Sequence, residues 1–306
     1  MRTAGFTLVE LIIGIALGGG VAALIGMTLV RQQRFHSAAT EMLDVRSQLR
    51  DAADVLAADI RGAAVSPHGL PVMTDSAIEM LTTIATSVAC TDPVGATVGL
   101  PPRTIASGTT LTSILLTPDS GDVAMVYGFP GGVPDSGRWE TLAVSAFASR
   151  ALATACPESS GFTTAADAGP GFVVTFAAPP SAAVRKGAPI HFLRRARWSL
   201  YRSSDNRWYL GYRRCNAIGP PGCAAVQPVS GPYRRYSGSS EVTGLSFRYY
   251  DATGGELAAG SASDAVARVD IVLRGETAKA VSLAGDARST YRDSAIVSVS
   301  PRNRKR

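Results

Sequence analysis

One acid inside an oily segment, four cysteines, three histidines and a run of arginines among aromatics are the residues of this 306-residue chain whose types could do chemistry. The histidines, His36, His68 and His191, lie far apart in sequence. A hydrolase triad would need one of them beside an activated serine and an aspartate, and no G-x-S-x-G elbow is present. Gly169-Pro170-Gly171 lacks the Gly-Lys-Ser/Thr ending of a phosphate-cradling loop. Asp119 and Asp122 flank Gly121 and offer carboxylates of the kind calcium takes. A solvated turn accounts for them more simply. The expectation is a chain with no catalytic residue, no metal and no cofactor. A membrane-anchored enzyme would need a clustered catalytic set, and the sequence displays none.

Cys90, Cys156, Cys215 and Cys223 form no C-x-x-C pair, so zinc and thioredoxin-like chemistry lack their usual spacing. An even count suits two disulfides in an oxidising compartment, with three connectivities open. Pairing Cys215 with Cys223 is favoured, because it closes a short loop holding Gly219, Pro220, Pro221 and Gly222. Cys90 and Cys156 then remain for each other. Free thiols are the better reading only for a domain kept in the cytoplasm.

From Arg185 to Arg214 the chain carries Arg185, Lys186, Arg194, Arg195, Arg197, Arg202, Arg207, Arg213 and Arg214, interleaved with Phe192, Trp198, Tyr201, Trp208 and Tyr209. Arginine with aromatics can grip single-stranded nucleic acid by charge and stacking. The same composition describes a sheet with its aromatic face buried and its arginine face wet, and that reading is favoured. The net charge of +6 is mild for this length and singles out no polyanionic partner.

Glu10 is the anomaly that needs a cause. Phe6 to Val30 is a run of 25 residues in which it is the single charge. As a helix that run spans roughly 37 Å, enough to cross a hydrocarbon core of about 30 Å. It is apolar on all faces, which disfavours the buried core helix of a soluble protein. It is too long for an ordinary secretory signal, and Arg31, Gln32, Gln33 and Arg34 follow it in place of a small-residue cleavage site. A carboxylate in hydrocarbon costs several kcal/mol. No Lys or Arg lies within a helical turn of it in sequence, and an amino terminus newly made by cleavage could supply the positive charge. Gly14, Gly18, Gly19, Gly20 and Gly26 weaken the helix locally, and close packing against neighbouring helices is the first reading of them.

The elements that must position these residues divide the chain. From Phe35 onward Phe35, Ala39, Met42, Val45, Leu49, Ala53, Leu56 and Ile60 step by three and four, one apolar stripe with charges on the other faces. Gly62 is the expected stop, with Pro67 soon after. Residues 63–306 read as β-rich. Leu245, Phe247 and Tyr249, and Val269, Ile271 and Leu273, alternate with polar residues. Trp208, Leu210 and Tyr212 form a face paired with Trp198 and Leu200 through the turn at 203–206. Residues 111–117 and 122–127 are expected strands, and 77–86 is helix or strand. The fold class is α+β: a long N-terminal helix, transmembrane in its first half (6–30) and amphipathic in its second (31–62), packed on an antiparallel sheet with meander connections. Hydrophobic residues at 46% supply a core and argue against general disorder.

Gly5-Phe6-Thr7-Leu8-Val9-Glu10, behind the basic leader Met1-Arg2-Thr3-Ala4, resembles the class III signal of type IV prepilins and type II secretion pseudopilins. The resemblance implies a leader of residues 1–5, cut between Gly5 and Phe6 by a prepilin peptidase, and N-methylation of Phe6. It implies that Glu10 pairs with the amino terminus of a neighbouring subunit during assembly. Leu245 to Gly254, Ala267 to Leu273 and a last strand ending at Pro301-Arg-Asn-Arg304 resemble more weakly the C-terminal half of PilW-type minor pilins and J-type pseudopilins. The implied partners are other pilins or pseudopilins and an inner-membrane assembly platform, and the implied location is the inner membrane with the large domain outside. Arg2 before the run and Arg31 and Arg34 after it would by the positive-inside rule place that domain in the cytoplasm. The cysteines side with the outside placement. A membrane-anchored adhesin, possessing an uncleaved helix and built into no filament, is the competing expectation.

Overall fold

The structure, a computed structural model, describes residues 8–63, 70–129, 137–218, 222–238, 241–281 and 287–301. Its first element is one helix, α1 (Leu8–Gly62), whose 55 residues extend about 82 Å. It ends at the glycine expected to stop it; the expected start at Phe6 lies outside the described residues. Beyond it every described strand pairing is antiparallel. The chain is α+β.

Two long strands carry the sheet. β2 (Ala77–Val88; the two-residue β1, Val72–Met73, pairs with its start) runs beside β8 (Pro189–Arg202), from Ala77 opposite Ser199 to Val88 opposite Pro189. Residues 77–86 are thus strand, and pairing along the whole segment decides what propensity left open. Between Thr83 and Ala85 the register slips by one residue, a bulge at Ile84. Ile84 and Ala85 are therefore both buried, where strict alternation would expose one.

The far edge of β8 is shared between two neighbours. Ile190 to Leu193 pair with β5 (Val123–Gly128), after β3 (Thr97–Leu100) and the two-residue β4 (Ser113–Ile114). Arg195 to Arg202 pair with β9 (Trp208–Cys215), Leu200 opposite Leu210 and Trp198 opposite Tyr212, as the alternation predicts. The division gives two cores. The distal core joins Ile84, Val126, Ile190 and Phe192 to Val98, Leu100, Val174 and Phe176. The last two come from β7 (Gly171–Phe176), which pairs with β3 and with the second half of β6 (Arg138–Arg150).

The second core lies under α1. Ile78, Met80, Trp198 and Leu210 meet Val45, Leu49, Leu56 and Ile60 of the helix. β11 (Leu245–Tyr250) and β13 (Arg268–Glu276) complete it, with Leu245 opposite Leu273, Phe247 opposite Ile271 and Tyr249 opposite Val269, all buried. β10 (Gln227–Tyr233) links β9 to β13, β12 (Glu256–Leu257) flanks β11, and β14 (Arg292–Val299) pairs with β13. Consecutive strands do meander in β5–β6–β7 and β8–β9–β10, but β2 beside β8 and β10 beside β13 are crossovers.

Three expectations need correction. The strand expected over 111–117 is only Ser113–Ile114, since just Ala85 and Thr86 of β2 pair with it. Phe35 is 71% exposed, because the first residue of α1 that the domain buries is Ala38. β6 was not anticipated: its bulge between Val144 and Ala146 breaks the period of two, and only Val144 of its residues is buried.

Candidate assembly surface

The two halves of α1 differ in what touches them. Leu8 to Val30 forms an unbroken helix, and Thr28 donates its hydroxyl to the Leu24 carbonyl at 2.9 Å without interrupting it. This stretch is long and apolar enough to cross a membrane, and none of its most apolar window is buried within the chain. Leu8 is 75% and Leu17 67% exposed. At Gly14, Gly18, Gly19, Gly20 and Gly26 an added Cβ would meet no other part of the described chain. Glu10 sits on the first described turn, exposed among Leu8, Leu11 and Ile13. Gly5 and Phe6 lie outside the described residues.

The second half is fastened to the sheet. Gly275 of β13 lets the helix approach: a Cβ there would stand 3.0 Å from Val45 Cγ1 and 3.4 Å from Leu49 Cγ. Above that contact Tyr233 donates to the Gln48 carbonyl at 3.3 Å. Arg46 donates through Nε to Asp293 at 3.0 Å and through Nη2 to the Tyr291 hydroxyl at 3.1 Å. Near the C-terminal end the Trp198 indole donates to Asp59 at 2.9 Å. Burial pushes the Asp59 carboxyl above its ordinary range, and the indole bond only partly opposes it.

The arginine-rich stretch resolves into ion pairs. Arg194 grips Asp122 with Nε at 3.0 Å and Nη2 at 2.7 Å, and Arg214 adds a second contact to Asp122 at 3.3 Å and one to Asp119 at 3.1 Å. The hydrogen bond from Arg214 holds the Asp119 carboxyl below its usual range. Arg195 and Arg197 both reach buried Glu79, Arg197 at 2.9 Å. Asp119 and Asp122, weighed as calcium ligands, are thus taken up by guanidinium groups. Arg202 and Arg207 stay exposed beside the hairpin turn. Four of the cations that might have met a nucleic acid are engaged internally, and with Arg194 only 12% exposed the arginine face is half-buried in ion pairs where a wet one was expected.

Cys90 is joined to Cys156, with Cα atoms 5.3 Å apart, and Cys215 to Cys223 at 3.9 Å. The first bond pins the short helix α2 (Leu152–Ala155) over Gly99 of β3, where an added Cβ would fall 1.8 Å from the Ala155 carbonyl oxygen. Glu79, Cys215 and Cys223 lie close enough to suggest a metal site. The disulfide and the two arginines on Glu79 occupy those groups. His36 is on the exposed part of α1, and His191 packs against Trp139 with ring centroids 5.0 Å apart. His68 lies outside the described residues.

Two features escaped the sequence. Glu79 as counter-ion to Arg195 and Arg197 could be found only by knowing that β2 pairs with β8. Lys279 and Arg288 share a cavity with Arg34 of α1, a meeting of segments some 250 residues apart. No protein family matches this chain, and no curated protein or solved structure matches it.

Proposed function

We propose that this chain is a subunit of an envelope filament of the type IV pilin kind, a minor or priming component of a pilus or a type II secretion pseudopilus, and not an enzyme. One observation carries the reading: a single helix whose N-terminal half, apolar but for Glu10, is left exposed by the described residues, while its C-terminal half is docked on the sheet. Such a half-helix needs lipid or other helices around it, and a filament supplies the second after a membrane has supplied the first.

In this reading prepilin peptidase cuts between Gly5 and Phe6, and the new amino terminus is methylated. Glu10 then neutralises the amino terminus of a neighbouring subunit, a charge pairing that has high value in a low-dielectric bundle. The open glycines of the first half admit close approach of neighbouring helices. The two disulfides favour a domain outside the cytoplasm. The assembly platform of the inner membrane is the partner that would extract the helix.

The test is the mass of the mature protein together with a filament count. Intact-mass analysis of the membrane fraction should show loss of Met1 to Gly5 and a methyl group on Phe6. Glu10→Ala should leave the cut intact and reduce filaments to a small fraction of the wild-type number. A mature chain that keeps Met1 would support an anchored adhesin and sink the filament reading; so would normal filament numbers in the Glu10 variant.

A further inference from the structure

A cavity of about 350 Å³ lies between α1 and the connection from β13 to β14, and filament packing through residues 8–30 makes no use of it. Arg34 and Glu41 of the helix line it, with Lys279, Val281 and Arg288 from the connection. Among the described residues, three cations and one carboxylate line it. Lys279 and Arg288 are exposed, so neither must leave a packed position to meet a ligand.

The helix fixes the height of this cavity. Arg34 is about 6 Å beyond Val30 along the axis and Glu41 about 16 Å. The headgroup layer outside the hydrocarbon is about 5–8 Å thick on each side. Arg34 therefore stands at headgroup level when Leu8 to Val30 spans a bilayer, with Lys279 and Arg288 at that level or just above. The same end of the sheet carries Arg234, Arg235 and Arg292 around a second cavity of about 340 Å³, with Glu276 among them. Arg292 is paired there with Glu276 at 3.6 Å.

We propose that the cavity formed by Arg34, Lys279 and Arg288 binds the phosphate of an anionic phospholipid headgroup. Ammonium and guanidinium groups both make charge-assisted hydrogen bonds to phosphate oxygens, and anionic headgroups are the phosphates that a membrane presents at this height. The site also gives a reason for Arg34 on the domain side of the span, where the positive-inside rule would not place it. The inference rests on the membrane-anchored part of the proposed function and not on cleavage or filament assembly. Free phosphate offers the same oxygens without acyl chains to hold it in register.

Native mass spectrometry of the full chain in detergent, with phosphatidylglycerol or phosphatidylcholine of equal acyl length, tests this. At ~150 mM salt, where loose surface attraction is screened, wild type should retain phosphatidylglycerol about 100-fold over phosphatidylcholine, about fivefold for each of the three cations. Lys279→Gln with Arg288→Gln should weaken retention of phosphatidylglycerol by roughly 25-fold, about fivefold per cation, and leave phosphatidylcholine unchanged. An unaltered melting curve would show that the double variant is folded; should it melt early, Lys279→Arg with Arg288→Lys must restore both fold and preference. Equal retention of the two lipids by wild type overturns the proposal, as does an undiminished preference in the folded double variant. Displacement of the lipid by millimolar inorganic phosphate would reveal a free-anion site and overturn it too. A chain that fails to assemble but keeps the lipid preference separates this inference from the filament reading.

Discussion

The two halves of α1 are one continuous helix in opposite surroundings. From Val45 to Ile60 a single apolar stripe lies on β13, β14 and the start of β2, while Asp44, Arg50, Asp51 and Asp54 face water. From Leu8 to Val30 the circumference is apolar but for Glu10, and the described residues leave it exposed. The difference teaches that helix formation and helix burial are separate decisions. Local hydrogen bonding makes the helix in both halves. The breadth of the apolar surface then sets what can cover it: a stripe suits one sheet, and a full circumference demands lipid or several helices.

The sharpest way to break this contrast is to charge the docked half. Leu56 is fully buried, so Leu56→Asp should cost more than about 4 kcal/mol and release the helix from the sheet, read by thermal melting. Leu17→Ala should leave the same melt unchanged. Equal effects of the two substitutions would erase the distinction.

Next in size are the disulfides, which ask whether the docking of α1 depends on the distal core. Cys90→Ser with Cys156→Ser opens a loop of 66 residues and should destabilise by up to about 4 kcal/mol, against about 2.5 kcal/mol for the 8-residue separation of Cys215 and Cys223. Hydrogen exchange should show residues 45–60 still protected in the first variant, since Cys90 and Cys156 lie beside the distal core and away from α1. Loss of that protection would mean one cooperative core in place of two.

The smallest effect refines the docked half alone. Because burial raises the Asp59 carboxyl, the folded state binds the proton more tightly than the unfolded chain does. The stabilisation from protonated Asp59 is fully present below the ordinary carboxylate pKa and is lost as pH rises through the folded value. At neutral pH the charged group is then a net cost. Asp59→Asn, which can still accept from the Trp198 indole, should raise the melting temperature by a few degrees at pH 7, with the gain fading towards pH 4. A gain that is constant with pH would exclude titration as its cause.

Much of this contrast was legible in the residues. The three-and-four spacing from Val45 to Ile60 marked the docked stripe, and the failure of any such pattern before Val30 marked the exposed half. Phe35 was misjudged because periodicity tells which face is apolar but not how far the covering sheet reaches. The strands β11 and β13 were readable since each buries one face and alternates cleanly. β6 was not, because a bulge and a mostly exposed surface erase the alternation that would announce it.

What the sequence determined by itself is therefore whatever depends on near neighbours: a helix from at least Leu8 to Gly62, its capacity to span a bilayer, and the alternating strands near the C-terminus. Hydrogen bonds four residues apart and side chains two apart need no distant partner. Tertiary structure alone decided that β2 and β8 divide between two cores, that Glu79 and Asp122 take up the arginines, and that Lys279 and Arg288 meet Arg34. Those outcomes depend on strand register and on where the sheet ends along the helix. Register is a property of two segments together, and neither segment states it alone.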